Sequence, residues 1–430
     1  MEKGLKKKNI KKYWFSIESY VHISLKRNLL LLYNTLSGKA LEYTFSTNEE
    51  LKIFLLFKKL QSEKNLRVIC LTENDLQDPM ISGIVNDTRK FYMSELIDIN
   101  CSKGKPVQMN PEVTIVKDID KLKNEYNRSG GEEIVKYLSE ISLYLNNTCS
   151  LNCSICSVAY KQFSCCTMRE NKNKILNIEN IQNLLYYLIG ASLRNINILG
   201  GDIFAYPGFE NLITILNNIK VKKTIYSHYF NFPDRIEKLK SIDPRSSLIK
   251  ILIPYPLIQE RLEKVFNLIT HTPINYEFIF IIQGEQDYYV AEEVVKAMQI
   301  PHYSYQPFFN GENLEFFKEN IFITKDDILL SRPKMRDIYV NTVINKLNFG
   351  RLTIFNNGDI YSNVNESKLG VLGKNSIHEV LYKELIHSKS WRKVRRNLKP
   401  CKNCIFQSLC PPMNNYNYAI GKNDLCNVFS

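Results

Sequence analysis

The chain has 430 residues, more than one domain of ordinary size, with a formal charge of +13 and 44% hydrophobic residues, enough apolar material for a sizeable core. No apolar run approaches the roughly twenty residues of a membrane-spanning helix, and no P-loop pattern is present, which excludes helical membrane proteins and P-loop nucleotide enzymes. Lysines and arginines are scattered, often singly on predicted helices, so a solvated basic surface is favoured over a nucleic-acid patch, while an acidic peptide remains a compatible partner.

The Lys-rich start, Met1–Lys12, lacks the apolar segment of a secretory signal and reads as a solvated tail. A cytoplasmic location is therefore expected, with the eleven cysteines reduced or metal-bound rather than paired as disulfides. Residues 13–95 read as a small α+β unit. Val21–Leu25 and Asn28–Tyr33 are strand-like around a turn at Lys26-Arg27, and Gly38 marks a further turn before Ala40–Tyr43. Thr47 and Glu50 form a capping-box pattern ahead of a helix whose apolar stripe is read as Leu51, Phe54 and Leu55. A strand over 67–71 and a helix over 78–92 follow, and the polar, Gly- and Pro-bearing stretch 101–131 reads as linker.

From 141 to about 309 strand-like runs alternate with helical ones. The strands are Ile141–Leu145, Asn195–Leu199, Lys223–Tyr229, Ile249–Tyr255, Asn275–Gln283 and His302–Phe309; the helices lie near 178–190, 209–219, 233–242, 259–270 and 290–300. Six such units predict a parallel sheet with right-handed crossovers, buried on both faces, either open or curled into a partial barrel. Beyond 345, Leu352–Asn357 and Gly358–Ser362 read as a hairpin, followed by a helix near 376–397 and a cysteine-rich end.

Seven cysteines fall into two groups. The first is Cys149-Ser-Leu-Asn-Cys153-Ser-Ile-Cys156, just after the first strand of the alternating region, at the strand end where α/β folds place their sites. Three thiols so close suit a structural zinc with Cys165 or Cys166 as fourth ligand, or an iron–sulfur cluster with one open iron. This CxxxCxxC spacing resembles the radical SAM enzymes, although the residue before the third cysteine, often aromatic there, is Ile155. The second strand runs into Gly200-Gly201-Asp202, which resembles the family's Gly-Gly-Glu motif at the methionine amino group of S-adenosylmethionine (SAM), with a shorter carboxylate. The ribose-contacting Ser of the family has no counterpart in Ile251-Leu-Ile-Pro254-Tyr255-Pro256. The resemblance implies a [4Fe–4S] cluster on Cys149, Cys153 and Cys156, with SAM on the open iron, bound also by Gly200, Gly201 and Asp202. It further implies reductive cleavage of SAM to a radical that abstracts a substrate hydrogen.

The second group is Cys401-Lys-Asn-Cys404, then Cys410 and Cys426. Its spacing resembles the SPASM extension of radical SAM peptide maturases, and zinc is the alternative. Two cysteines of that pattern are missing, at Asn414 and around Ser362-Asn363, so the resemblance implies a single auxiliary [4Fe–4S] cluster, on Cys401, Cys404, Cys410 and Cys426. The leading unit resembles a RiPP recognition element, which binds a leader peptide as an added strand; a structural cap is the other reading. Lys161-Gln-Phe-Ser-Cys-Cys166, Cys410-Pro-Pro-Met and the aromatic opening Tyr13-Trp14 resemble the subgroup from systems with Gly-Gly leaders, which includes pseudo-radical-SAM members. Cys165-Cys166 is open to three readings: hydrogen-atom donor, zinc ligand or plain buried thiols.

The expected architecture is thus α/β: a RiPP-recognition-like domain over 13–95, a linker over 96–137, a partial (β/α)6 radical SAM barrel over 138–335 and a SPASM-like domain over 345–430. The expected function is a radical SAM peptide maturase that acts on a ribosomal precursor with a leader, served by a reductant protein. A noncatalytic partner that binds a precursor or a second maturase is the alternative.

Overall fold

A computed structural model describes residues 10–47, 50–62, 65–108, 134–151, 153–165, 174–387 and 389–428, with the side chains of 233–235 excepted. Cys166, most of the expected linker and nearly all of the Lys-rich start lie outside these residues.

The leading unit contains β1 (Lys12–Ile17), β2 (Val21–Lys26), β3 (Leu29–Asn34), β4 (Ala40–Thr44), α1 (Leu51–Leu60), β5 (Val68–Thr72), α2 (Glu73–Gln77), α3 (Pro79–Lys90) and β6 (Ser94–Asp98). These strands form two three-stranded antiparallel sheets, in the orders β5-β1-β6 and β2-β3-β4. The expected capping box is present: Thr47 N–H donates to Glu50 Oε2 at 2.8 Å and Glu50 N–H to Thr47 Oγ1 at 3.3 Å. The expected stripe is corrected. Leu51 and Leu55 are exposed, and the buried side of α1 is Ile53, Leu56, Phe57 and Leu60. Both sets have helical spacing, and the one that meets Phe15, Val21, Ile23 and Leu30 across the core is the one buried.

The central region contains β7 (Glu140–Tyr144), α4 (Ile178–Tyr187), β8 (Asn195–Leu199), α5 (Phe209–Asn217), β9 (Lys222–His228), β10 (Ser247–Ile253), α6 (Gln259–Thr270), β11 (Asn275–Ile282), α7 (Glu285–Met298) and β12 (Tyr303–Pro307). Every predicted strand is there. The helix expected at 290–300 starts earlier, at Glu285, and the segment 233–242 is a 3-10 helix, Pro233–Ser241. After α8 (Leu314–Asn320), α9 (Lys325–Leu330) and α10 (Met335–Val343) come β13 (Arg351–Ile354), β14 (Asp359–Tyr361), β15 (Gly370–Val371), α11 (Ile377–His387) and α12 (Asn415–Ile420). The predicted hairpin is β13–β14, with Gly358 at φ +85° in its turn. It does not stand apart: β13 runs parallel to β7 and extends the main sheet to the order β12-β11-β10-β9-β8-β7-β13-β14-β15. The predicted terminal helix is shorter than expected, ending at His387.

One face of the parallel sheet is apolar. Ile141, Leu143, Ile196, Ile198, Ile225, Ile249, Ile251, Phe278 and Phe280 pack against Leu184, Leu212, Leu262 and Val294 of the covering helices. The other face carries a polar network along part of its area, which modifies the expectation of near-continuous apolar strands. Thr224 donates to Asn195 (3.0 Å), Asn195 to Asn197 (2.7 Å), and Asn197 to Glu140 (2.7 Å) and Ser142 (3.0 Å). Lys250 pairs with Glu277 at 3.2 Å, and Ser304 donates to the same carboxylate at 2.6 Å. A flat sheet would hold β12 and β7 roughly 24 Å apart. Instead Gln306 of β12 lines one cavity of ≈ 410 Å³ with Glu140 and Ser142 of β7 and Arg351 of β13, so the sheet curls around its polar face. Among the described residues no helix is long and apolar enough to cross a membrane.

Candidate functional site

The loop after β7 is stitched to the loop after β8. Leu145 N–H donates to Leu199 O at 2.8 Å, Gly201 N–H to Asn146 O at 3.0 Å and Asp202 N–H to Thr148 O at 2.5 Å, while Asn146 Nδ2 returns to Asp202 O at 3.0 Å. Both glycines are required by this approach. A Cβ on Gly201 would lie 2.2 Å from Thr148 O; one on Gly200, at φ +146°, would lie 2.8 Å from Asn146 O. The close backbone approach that these glycines permit is to the cysteine loop itself. The Asp202 carboxylate accepts from Phe204 N–H at 3.1 Å, capping a short 3-10 turn, and stands within electrostatic range of Cys149.

That stitching sets Cys149, Cys153 and Cys156 beside the C-terminal strand ends. Cys153 and Cys156 share a hydrogen bond, and both feel the charge of Cys149. The hydrogen bond with Cys156, then burial and the neighbouring thiols, push the Cys153 thiol far above its ordinary range; burial raises Cys149, against a backbone hydrogen bond at Leu151. The segment from Ile155 to Cys165 packs on Leu252, Ile279, Ile281 and Phe308. It is pinned there by Gln162, whose Nε2 donates to Phe309 O at 2.7 Å and whose Oε1 accepts from Phe309 N–H at 2.9 Å. Cys165 is buried within electrostatic range of Cys153.

His228, the last residue of β9, is a site residue that sequence reasoning misses. Its Nε2 lies 3.5 Å from Cys153 Sγ, and its Nδ1 accepts from Phe230 N–H at 3.1 Å. Burial lowers its pKa to about 4, against the opposing pull of Cys156. The available signal was its position, at the end of a strand on the edge where the cysteine loop emerges.

The second group gathers at the other end of the chain. Cys401, Cys404, Cys410 and Cys426 line one cavity of ≈ 350 Å³ together with Arg395 and with Arg27 and Leu29 of the leading unit. Arg395 donates to Cys401 Sγ (3.5 Å) and Asn423 O (2.9 Å), and Phe406 N–H donates to Cys404 Sγ (3.4 Å). Burial raises the Cys404 thiol to about 11 and the Cys410 thiol to about 12, the latter against the nearby Arg395. Asn414 caps α12 by accepting from Tyr416 N–H at 3.0 Å. Ser362, Asn363, Asn414 and Asn415 all line the 410 Å³ cavity on the polar face, and Asn363 donates to Asn415 at 2.7 Å.

As placed, no three His, Cys, Asp or Glu side chains among the described residues form a group that could hold a metal ion. The fit therefore rests on the chemistry of the donors. Both sets are thiols within electrostatic range of one another, and both receive N–H donors on sulfur, the surroundings of thiolate-held clusters. Leu151 and His228 sit at the first set; Arg395 and Phe406 sit at the second.

No family profile matches this sequence, and neither does any curated protein. Among solved structures, the chain is similar to Streptococcus suis SuiB at 12% identity, over 96% of this chain and 100% of that one, with a TM-score of 0.47. SuiB bound to its precursor peptide SuiA gives 14% identity, 97% and 99% coverage and a TM-score of 0.42. The structure of anSMEcpe with bound AdoMet gives 12% identity, 64% and 84% coverage and a TM-score of 0.43. Scores below 0.5 at such identities do not establish a shared fold.

Proposed function

We propose that the chain is a radical SAM peptide maturase, with a SAM-binding [4Fe–4S] cluster on Cys149, Cys153 and Cys156 and one auxiliary cluster on Cys401, Cys404, Cys410 and Cys426. The observation that carries this reading is the joining of the three-thiol loop to Gly200-Gly201-Asp202 at the C-terminal ends of a curled parallel sheet. The partial-barrel reading of 138–335 is supported by the shared cavity of β7 and β12.

When bound, the reduced first cluster supplies the electron that cleaves SAM, and SAM supplies the hydrogen-abstracting radical. The chain's own residues have separate tasks. The three thiols of Cys149, Cys153 and Cys156 would hold the cluster. Gly200 and Gly201 keep the two loops in register, and Asp202 places a negative charge beside Cys149. The polar face and its 410 Å³ cavity offer amide and carboxylate partners to a peptide segment. Cys401, Cys404, Cys410 and Cys426 would hold the second cluster with four thiols, which suits electron relay or folding rather than direct substrate binding. A precursor with a leader and a protein reductant are the partners of this reading.

The test is anaerobic reconstitution with iron, sulfide, dithionite and SAM. About eight irons per chain and formation of 5'-deoxyadenosine are expected. A second reading, a noncatalytic partner of another maturase, is favoured by one observation: Ile155–Cys165 packs tightly on Leu252, Ile279, Ile281 and Phe308 beside the site. A fully loaded chain that binds precursor yet yields no 5'-deoxyadenosine establishes that second reading.

A further inference from the structure

We infer that His228 is a positioning residue for the first cluster, donating an N–H···S hydrogen bond to Cys153 that raises the cluster's reduction potential; this rests on the iron–sulfur reading above.

The tautomer follows from the geometry. Phe230 N–H points at Nδ1 at 3.1 Å, so Nδ1 carries a lone pair, and the ring proton sits on Nε2. Nε2 is 3.5 Å from Cys153 Sγ, within the range of hydrogen bonds to sulfur. The ring cannot swing away easily. It is 5% exposed and stacks on Tyr229 at 5.2 Å between centroids, with Phe230 at 5.9 Å. An N–H aimed at a ligating sulfur draws negative charge from it. That favours the reduced cluster, which carries one more electron, and hydrogen bonds to sulfur are among the determinants of cluster potential. The donor ring is itself buried, which limits competition from water on the histidine side of the bond.

His228→Phe keeps a planar ring and removes the donor. His228→Gln places an amide N–H near the position of Nε2. The measurement is an anaerobic redox titration of the reconstituted full chain followed by EPR, with iron and sulfide content determined in parallel. The first cluster's signal is the one that disappears in the C149A/C153A/C156A triple variant. His228→Phe is expected to make reduction about tenfold less favourable, a shift of about 59 mV to lower potential for one electron, and His228→Gln to restore most of it. Loss of the cluster in His228→Phe with retention in His228→Gln also supports the donor role. Equal potentials in all three chains, a Gln variant that behaves like Phe, or cluster loss in both variants overturns it. A wild-type chain with no iron or sulfide on the first three cysteines overturns the iron–sulfur reading as well, a result separate from loaded chains of unchanged potential.

Discussion

Single residues set the geometry on which the first site depends. Gly201 is the most constrained of them, since any Cβ there would lie 2.2 Å from Thr148 O, a backbone atom that can move only with the cysteine loop. Gly201→Ala is expected to cost about 1–3 kcal/mol in denaturant unfolding, the range for forced overpacking, and to lower iron retention on the first group. Gly104→Ala, where a Cβ meets nothing within 4 Å, is expected to change neither. His22 makes a pH-dependent contribution in the leading unit. Its Nε2 is buried without a hydrogen-bond partner, and burial followed by the charge of Arg67 lowers its pKa to about 4. The unfolded chain, with His near 6.5, therefore binds more protons than the folded chain between pH 6.5 and 4. Stability falls as pH drops through that window, by about 3 kcal/mol at its lower end. His22→Phe is expected to flatten the slope of unfolding free energy against pH over that window, and an unchanged slope would refute the assignment.

At the scale of elements, what the sequence discloses depends on whether the decisive contacts are local. The six parallel strands are legible because each is a short apolar or alternating run bounded by turn residues, and the glycines at 200 and 201 are legible as a motif. β1 and β6 are not, because neither carries a strong pattern; β1 is central only through its pairing with β5 and β6, more than fifty residues later in each case. The same holds for β13, whose hairpin with β14 is local and readable while its parallel pairing with β7 is not. His228 stayed hidden for the same reason, since Cys153 lies 75 residues away. The cysteine groups were readable because metal-ligand spacing is written along the chain, whereas the polar network from Thr224 to Glu140 exists only once the strands are side by side. One segment combines apolar packing with a clasp made by a single side chain. The segment 155–165 is fastened to the end of β12 by the two hydrogen bonds of Gln162. Gln162→Ala removes both, worth about 1–2 kcal/mol together. The segment's opening should then rise by roughly tenfold, seen as faster alkylation of Cys165, which is 3% exposed. Unchanged alkylation would show that packing on Phe308 suffices to hold it.

Across the whole molecule, the four-cysteine site is where the beginning and end of the chain meet. The turn between β2 and β3 supplies Arg27, Asn28 and Leu29 to its cavity. Beyond that turn, Leu31 and Tyr33 pack on Ile328, Ile338, Ile405, Phe406, Leu409 and Cys410, and Lys325 pairs with Glu42 at 2.7 Å. The surfaces that carry those contacts on the cysteine side, around Cys404–Cys410, contain only turns and bends between a 3-10 helix and α12. The backbone–backbone hydrogen bonds of this segment stay within its own turns, so on the proposed reading ligation of its thiols would be the cross-link that fixes it to its surroundings, as in small metal-dependent modules. Burial holds the Cys404 and Cys410 thiols near 11 and 12, so they are protonated at neutral pH and metal binding would have to release those protons. Metal loss should accordingly loosen the β2-β3-β4 sheet while leaving the parallel sheet intact. Cys410→Ala, compared with the reconstituted wild type, is expected to speed amide hydrogen exchange in β3 by at least about tenfold, since local opening tracks the contacts that hold an element closed. Exchange in β10 and β11, whose apolar residues sit in a separate core, is expected to stay the same. Equal protection of β3 in both chains would mean that apolar packing alone docks the leading unit, and that the four thiols serve the centre they hold and nothing beyond it.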